Sequence, residues 1–109
     1  MELPGGFDAV LHPPARLQIT AVLANVDTAE FARLKAITGT SDSVMSKHLA
    51  ALVEAGYVKL SKAATDGRQR TWVSLTRAGR TAFSGHVAAL EALVSGLGDA
   101  AERAGASIK

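Results

Sequence analysis

The sequence predicts a mainly α-helical domain with a small antiparallel β-hairpin, in which a three-helix core precedes the hairpin and a C-terminal helix follows it. Apolar residues recur at helical spacing across residues 42–54. Two segments in which apolar and polar residues alternate then flank Asp66-Gly67, a dipeptide typical of tight hairpin turns. Helical spacing returns from residue 76 onward. With 109 residues and 48% hydrophobic content, the chain has room for one such domain.

Two helices are predicted ahead of the 42–54 segment. The first starts at Pro13-Pro14, since proline suits a first helical turn, and ends near Asn25. Asp27 and Glu30 have the spacing of a capping box, in which a glutamate follows the N-cap acceptor three residues later. This pattern predicts a second helix over residues 29–38, which Gly39 then ends.

The third helix is predicted to begin at Thr40 or Ser41, whose hydroxyl can accept hydrogen bonds from the amides of the first turn. Its apolar positions recur every three or four residues and are expected to face the core; they are Met45, Leu49, Leu52 and Val53. The outward positions are Asp42, Ser43, Ser46, Lys47 and Ala50. Because these side chains are short apart from one lysine, this helix can sit deep in a groove.

The hairpin is predicted from two short alternating strands, residues 58–60 and 72–75, around a turn region at residues 63–68. Trp72 has two possible roles, stacking on a ligand or packing beneath the hairpin. Its place beside Val73 in an alternating strand favours packing, which is the usual behaviour of a large aromatic side chain.

The last helix has Thr76 as its expected cap and an apolar stripe on a 4-3-4-3 spacing, made of Phe83, Val87, Leu90, Val94 and Leu97. This is coiled-coil spacing, but it covers only about two heptads. Two interpretations therefore stay open, a helix that pairs with a second chain and a helix that packs on its own domain. The predicted organisation is a flexible leader at 1–10, a domain at 11–97 with its terminal helix at about 76–97, and a flexible tail at 98–109.

Positive charge is concentrated in one part of the chain. The formal net charge is only +2, but residues 57–80 hold six cations and one anion, giving +5 and leaving −3 for the rest. The cations are Lys59, Lys62, Arg68, Arg70, Arg77 and Arg80, and the anion is Asp66. A concentrated basic patch is what binding to phosphate groups requires, although a solvated charged surface is the alternative.

Several classes of protein are not expected from this sequence. It has no cysteine, and His12, His48 and His86 are scattered along the chain, so we expect neither a metal site nor another cofactor. The Ser/His/Asp ordering and Gly-rich phosphate loop typical of many enzymes are missing. Because these patterns are missing, we expect that the protein is not an enzyme. No apolar run approaches the roughly 18 residues of a membrane span, so we expect a cytoplasmic protein.

Two sets of residues resemble known transcription regulators. Residues 46–58, Ser-Lys-His-Leu-Ala-Ala-Leu-Val-Glu-Ala-Gly-Tyr-Val, resemble the S-x-H-L-x-x-L-x-x-A-G-(L/Y)-V signature of ArsR-type repressors. Asp66-Gly67-Arg68 and residues 75–80 resemble the wing and the start of the following helix in MarR-type regulators. The resemblance spans about Pro14 to Val94 and implies a winged helix-turn-helix fold, a symmetric dimer and regulation of transcription, most simply as a repressor.

The resemblance also assigns roles to individual residues. The third helix would be the recognition helix and the hairpin the wing. The helix positions implied to meet base edges and phosphates are Ser41, Asp42, Ser43, Ser46, Lys47 and His48. The wing cations of the predicted DNA-binding set are Lys62, Arg68 and Arg70. For Asp42, pairing with a cytosine amine and a role at the helix N-terminus are both open, and for His48 a structural role is favoured over metal ligation.

Two functions are compatible with this fold, a sequence-specific regulator that binds double-stranded DNA as a homodimer and a winged helix used only for protein interaction. The basic hairpin and small outward side chains favour DNA, since a protein-docking face is expected to present aromatic or large apolar anchors. In the dimer, the terminal-helix stripe from Phe83 to Leu97 would join the protomers. The sequence identifies neither the operator nor any small-molecule inducer.

Overall fold

In the computed structural model, which describes residues 2–105, the chain forms four α-helices and one three-stranded antiparallel sheet. The elements are α1 Pro14–Leu23, β1 Ala29–Glu30, α2 Phe31–Thr38, α3 Asp42–Glu54, β2 Val58–Thr65, β3 Arg68–Leu75 and α4 Arg77–Arg103. The strand order is β1-β3-β2. This arrangement confirms the predicted mainly α fold with a β-hairpin. Within residues 2–105, no helix combines the length and apolar character that a bilayer crossing needs.

The predicted capping box at Asp27 and Glu30 is wrong. Ala29 and Glu30 form a short strand that pairs with Val73 and Trp72 of β3, and α2 begins only at Phe31, with no side-chain cap. The Glu30 carboxylate accepts two hydrogen bonds from Arg70 on β3 instead of capping the helix. Pairing with a distant strand therefore overrides the local capping pattern.

Helix α3 begins as predicted and exposes more of its apolar stripe than predicted. The Ser41 hydroxyl accepts from the Val44 amide at 3.3 Å, so Ser41 is the cap. Met45, Leu49 and Leu52 are buried, whereas Val53 remains 42% exposed. Successive helical residues are about 100° apart, so Val53 lies to one side of the buried row. The core-facing stripe is thus narrower than the sequence pattern suggested.

The hairpin is longer and tighter than predicted. Strands β2 and β3 each have eight residues and pair over their whole length, from Val58 with Leu75 to Thr65 with Arg68. Only Asp66 and Gly67 remain in the turn, and both have positive φ, 52° and 75°. That is the backbone of a two-residue type I′ turn, for which Asp-Gly is a favoured sequence.

The core lies where α1, α2 and α3 meet one face of the sheet. Its buried side chains are Leu11, Ile19, Leu23, Leu34, Met45, Leu49, Leu52, Val58, Val73 and Leu75. Trp72 alternates with buried Val73 and is half-buried on the opposite face of the sheet. There it lines a cleft of about 520 Å³ with Val22, Val26 and Ile37.

A close contact joins the end of α3 to the start of α4. Thr76 is the α4 cap, as predicted, and accepts from the Gly79 amide at 3.0 Å. Its hydroxyl donates to the Gly56 carbonyl at 2.6 Å, and its amide donates to the Tyr57 carbonyl at 3.0 Å. A Cβ at Gly79 would lie 2.1 Å from that Tyr57 oxygen, so only glycine allows the helix to pass this carbonyl.

Both ends of the chain differ from the predicted flexible segments. Helix α4 continues to Arg103, six residues past the predicted end at Leu97. At the other end, the Asp8 carboxylate accepts from the Tyr57 hydroxyl, and Leu11, which directly follows the predicted leader, is fully buried. The leader therefore packs on the domain. Met1 and residues 106–109, which belong to the predicted leader and tail, lie outside the described residues.

The N-terminal segment is tied to α4 through His86, which is fully buried. Its Nδ1 accepts from the Asp8 amide at 2.9 Å, so the neutral ring carries its proton on Nε2. The Phe7 ring packs against His86 and His12, with centroids 4.9 and 5.0 Å away. Burial lowers the pKa of His86, and His12 lowers it further, while Asp8 opposes the change.

We expect Gly79→Ala to lower the free energy of unfolding by about 3 kcal/mol, because the new methyl group overlaps a backbone carbonyl that cannot move independently. Gly98→Ala is the matched control on the same helix, since nothing lies within 4 Å of a Cβ there. It should raise stability by up to about 1 kcal/mol through helix propensity. Urea unfolding measures both, and equal effects would contradict the proposed α4 contact.

We expect the free energy of unfolding to decrease as the pH falls, because of the buried His86. The unfolded chain protonates this imidazole near pH 6.5, whereas the folded chain does so only at lower pH. The stabilisation that His86 contributes is thus fully present above pH 6.5. It is lost as the pH falls through the lower pKa that His86 has in the folded state. We expect His86→Asn, which keeps an acceptor for Asp8, to flatten the decline in unfolding free energy between pH 7.5 and 5.5. The same decline in both proteins would show that His86 does not contribute to it.

Candidate nucleic-acid interface

One side of α3 presents small polar groups to solvent. Met45, Leu49 and Leu52 hold the opposite side in the core. The predicted contact positions that are exposed on α3 and its cap are Ser41, Asp42, Ser43, Ser46 and Lys47. Hydroxyl and ammonium groups can donate to phosphate oxygens or to acceptors on base edges. The exposed side of α3 therefore has both the size and the chemistry that a DNA groove requires.

Asp42 is engaged within the protein. Its carboxylate forms an ion pair with Lys35 of α2 at 2.6 Å, and it stands in the first turn of α3. The ammonium of Lys35 and the positive end of the α3 dipole both attract this carboxylate. Of the two roles left open by the sequence, the structure supports the one at the helix terminus.

His48 is the half-buried member of the predicted set. Its Nδ1 accepts from Arg16 Nε at 3.2 Å, and Arg16 Nη1 also donates to the Val10 carbonyl at 3.1 Å. Burial is the main cause that lowers the pKa of His48, and the positive charge of Arg16 adds to it. Arg16 was not among the predicted residues, because its partner lies 32 residues away and no local motif links them.

The wing cations fall into two groups. Lys59, Lys62 and Arg68 are exposed. Arg70, in contrast, donates to both Glu30 oxygens at 3.0 Å, and its side chain is 32% exposed. Arg70 is one of the predicted DNA-binding cations of the wing; in the structure it pairs with Glu30 and lies opposite Ala63, in the half of the hairpin near the turn.

Arg80 also has an internal role. It donates to the carbonyls of Ala24 and Val26, at 3.2 and 3.4 Å, just beyond the C-terminus of α1. Arginine near a helix C-terminus satisfies carbonyls that lack a partner within the helix. The basic patch counted from the sequence is therefore smaller in the folded chain, and its exposed cations lie mainly on β2 and at the hairpin turn.

The fold brings α3 and the hairpin together across one cleft. Ser46 and Ala50 of α3 face Leu60, Lys62 and Thr71 of the sheet around a space of about 370 Å³. Ser46 and Lys62 are thus neighbours on one concave surface, although sixteen positions separate them in the sequence. The other residues that line this cleft are Phe31 and Leu49.

The apolar stripe of α4 divides into two parts. Phe83 packs against the core, which differs from its predicted place between protomers. Val87 and Leu90 are half-buried. Val94 and Leu97 are 67% and 54% exposed. The part of the helix up to Leu90 therefore packs on its own domain, and pairing of the exposed part with a second chain stays a prediction.

The histidines are less scattered than the sequence suggested. The rings of His12 and His86 lie 5.5 Å apart between their centroids, which the linear spacing did not predict. Within residues 2–105, no three side chains of the metal-binding types form a group that could hold an ion.

Comparisons with known proteins agree with this geometry. Residues 15–94 match the family model of a winged helix DNA-binding domain. An uncharacterized protein of Methanocaldococcus jannaschii is 31% identical over 78 residues, which are 72% of this chain and 85% of that protein.

Two solved structures are similar as well. A transcriptional regulator homologue from Pyrococcus horikoshii OT3 has a TM-score of 0.75 and 28% identity, with 81% of this chain and 87% of that chain covered. A zinc-responsive MarR family member, ZitR of Lactococcus lactis, has a TM-score of 0.61 and 25% identity, with 94% of this chain and 71% of that chain covered.

Proposed function

This chain belongs to the winged helix DNA-binding domain family and is a DNA-binding transcription regulator, and we propose that it is a repressor that binds a pseudo-palindromic operator as a homodimer. In this proposal α3 enters the major groove as the recognition helix. The hairpin of β2 and β3 lies as a wing on the flanking minor groove or its phosphates.

The observation that carries the proposal is the shared surface of α3 and the hairpin. The short side chains of Ser43 and Ser46 leave room for base edges, and Lys47 stands beside them on the exposed side. Lys62 lies across the cleft from Ser46, and Arg68 follows the exposed hairpin turn. Arginine is well suited to a narrow, negative minor groove, which supports this place for the wing tip.

The alternative function, protein interaction without DNA binding, fits this surface less well. Protein hot spots are enriched in tryptophan, tyrosine and arginine, which fill pockets in the partner. The outward side of α3 instead offers mainly serine, lysine and alanine, and its exposed larger apolar side chains, Val44 and Val53, are valines and not aromatic anchors. The one tryptophan of the chain, Trp72, lies on the other face of the sheet.

A homodimer would give the two recognition helices the spacing of a two-fold site. Half-sites one DNA turn apart require reading helices about 34 Å apart. The exposed Val94 and Leu97 supply an apolar surface on the part of α4 that extends from the domain, and the molecule is 64 Å long against 28 and 22 Å across. This surface supports a dimer built through α4.

Binding to DNA should depend strongly on salt through the exposed wing cation. We expect Arg68→Ala to reduce the slope of log affinity against log salt by about 0.9, the effect of one lost phosphate contact. The matched control, Glu30→Gln with Arg70→Gln, removes an anion and a cation that already neutralise each other, so its slope should stay unchanged. Fluorescence anisotropy with a duplex selected from a random library by the unaltered chain measures both.

Two results would oppose this assignment. An unaltered chain that binds no duplex at low salt, or binds with no salt dependence, contradicts the DNA-binding proposal. An equal loss of slope in the Glu30→Gln and Arg70→Gln protein would instead identify Arg70 as a wing contact.

The dimer should depend on the exposed end of α4. We expect Val94→Asp to dissociate it, because a carboxylate would replace a valine in the proposed apolar interface. Ala88→Asp is the control, since Ala88 is exposed about 120° away around the same helix. Sedimentation velocity should find a monomer only for Val94→Asp. A dimer unaffected by Val94→Asp would rule out this surface as the interface.

A further inference from the structure

We propose that Arg16 is a positioning residue that fixes the tautomer of His48, so that the imidazole Nε2–H donates to a backbone phosphate of bound DNA. The proposal rests on the DNA-binding function and adds a residue of α1 to it. Arg16 lies outside α3 and the wing, and none of the sequence motifs includes it.

The hydrogen bond between Arg16 and His48 permits one arrangement of the proton. Arg16 Nε lies 3.2 Å from His48 Nδ1. A guanidinium group can only donate, so Nδ1 must accept with its lone pair. A neutral imidazole whose Nδ1 accepts carries its hydrogen on Nε2. Arg16 therefore makes the outer nitrogen of His48 a donor.

That outer nitrogen is open to solvent. His48 is half-buried, and its only described hydrogen bond is the one at Nδ1. Within residues 2–105, the buried side-chain nitrogens and oxygens without a partner are Arg70 Nε and His86 Nε2, so His48 Nε2 is not among them. An exposed N–H next to Lys47 on a recognition helix matches a phosphate oxygen, which can only accept.

The surroundings of His48 keep the ring in this neutral form. The charged group that faces it from α1 is Arg16, and Lys47 precedes it on α3. Burial and then the Arg16 charge lower the pKa of His48 below its ordinary value. The geometry agrees with this direction, because a proton on Nδ1 would point at the Arg16 N–H.

Arg16 is itself held in place from the N-terminal segment. Its Nη1 donates to the Val10 carbonyl at 3.1 Å while Nε donates to His48. Two directed bonds from one planar group suit arginine better than lysine, whose ammonium is a point charge on a flexible chain. The same segment reaches Tyr57 and His86 through Asp8. The His48 ring is thus oriented by a chain of contacts rather than by its helix alone.

The first test is the tautomer itself. We expect ¹⁵N NMR of the unaltered chain at pH 8 to show His48 Nδ1 without a proton and Nε2 with one. Arg16→Met keeps an unbranched stem but no donor, and should give a mixture of tautomers with the pKa of His48 closer to its ordinary value. Arg33→Met removes an exposed arginine of α2 and should change neither. An unchanged His48 spectrum in Arg16→Met would overturn the role of Arg16.

The second test is the pH profile of DNA affinity at constant salt, measured with a duplex selected by the unaltered chain. We expect Arg16→Met to bind about twofold more weakly at pH 8, because only the fraction of His48 rings that carry the proton on Nε2 can then donate to the phosphate. Its affinity should recover towards pH 6, where a protonated His48 can donate from either nitrogen. Adding His48→Gln to Arg16→Met should abolish that recovery.

These outcomes separate the two proposals. Weaker binding of Arg16→Met at every pH, without recovery, would reduce Arg16 to a structural role and overturn the inference. Identical pH profiles for the unaltered chain and Arg16→Met would also overturn it. If the unaltered chain shows no salt-dependent binding to any duplex, the DNA-binding function itself fails, and the NMR result then concerns only the Arg16–His48 contact.

Discussion

Burial of Met45, Leu49 and Leu52 fixes the rotation of α3 about its own axis, and the exposed surface depends on that rotation. Full burial of three such side chains contributes about 6 kcal/mol, at about 2 kcal/mol each. The surface ion pair of Lys35 with Asp42 contributes at most about 1 kcal/mol. The core therefore decides which side of α3 faces outward, and polar contacts only adjust it. Ser43, Ser46 and Lys47 are presented because their neighbours are buried.

The same core sets the place of the wing relative to α3. Strand β2 starts at buried Val58, directly after Tyr57, whose carbonyl accepts from Thr76 and packs against Gly79. Glu30 then pairs with Arg70 and joins β1 to the hairpin. Arg70 thus holds the hairpin in position, whereas the cations that remain exposed can bind a ligand. A count of charges along the sequence does not separate these two uses.

The sequence predicted those elements whose signals are local. Ser41 and Thr76 cap their helices, and Asp66-Gly67 forms the hairpin turn, because each acts through neighbours within a few residues. The short strand β1 was missed because the Asp27 and Glu30 spacing favours a helix, while the partner that overrides it lies on β3. The contact between Arg16 and His48 is equally distant. In the candidate site, helical periodicity predicted which side chains of α3 are exposed. It could not predict which side chains form hydrogen bonds or ion pairs with distant parts of the fold.

An amide NMR titration of the chain with a selected duplex tests the central claim most directly, that the exposed side of α3 and the hairpin form the DNA-binding surface. Our account predicts shift changes concentrated in residues 41–50 and 59–68. The indole signal of Trp72, which is the one tryptophan and lies on the opposite sheet face, should change little. Changes centred on the Trp72 cleft, with α3 unaffected, would contradict the account.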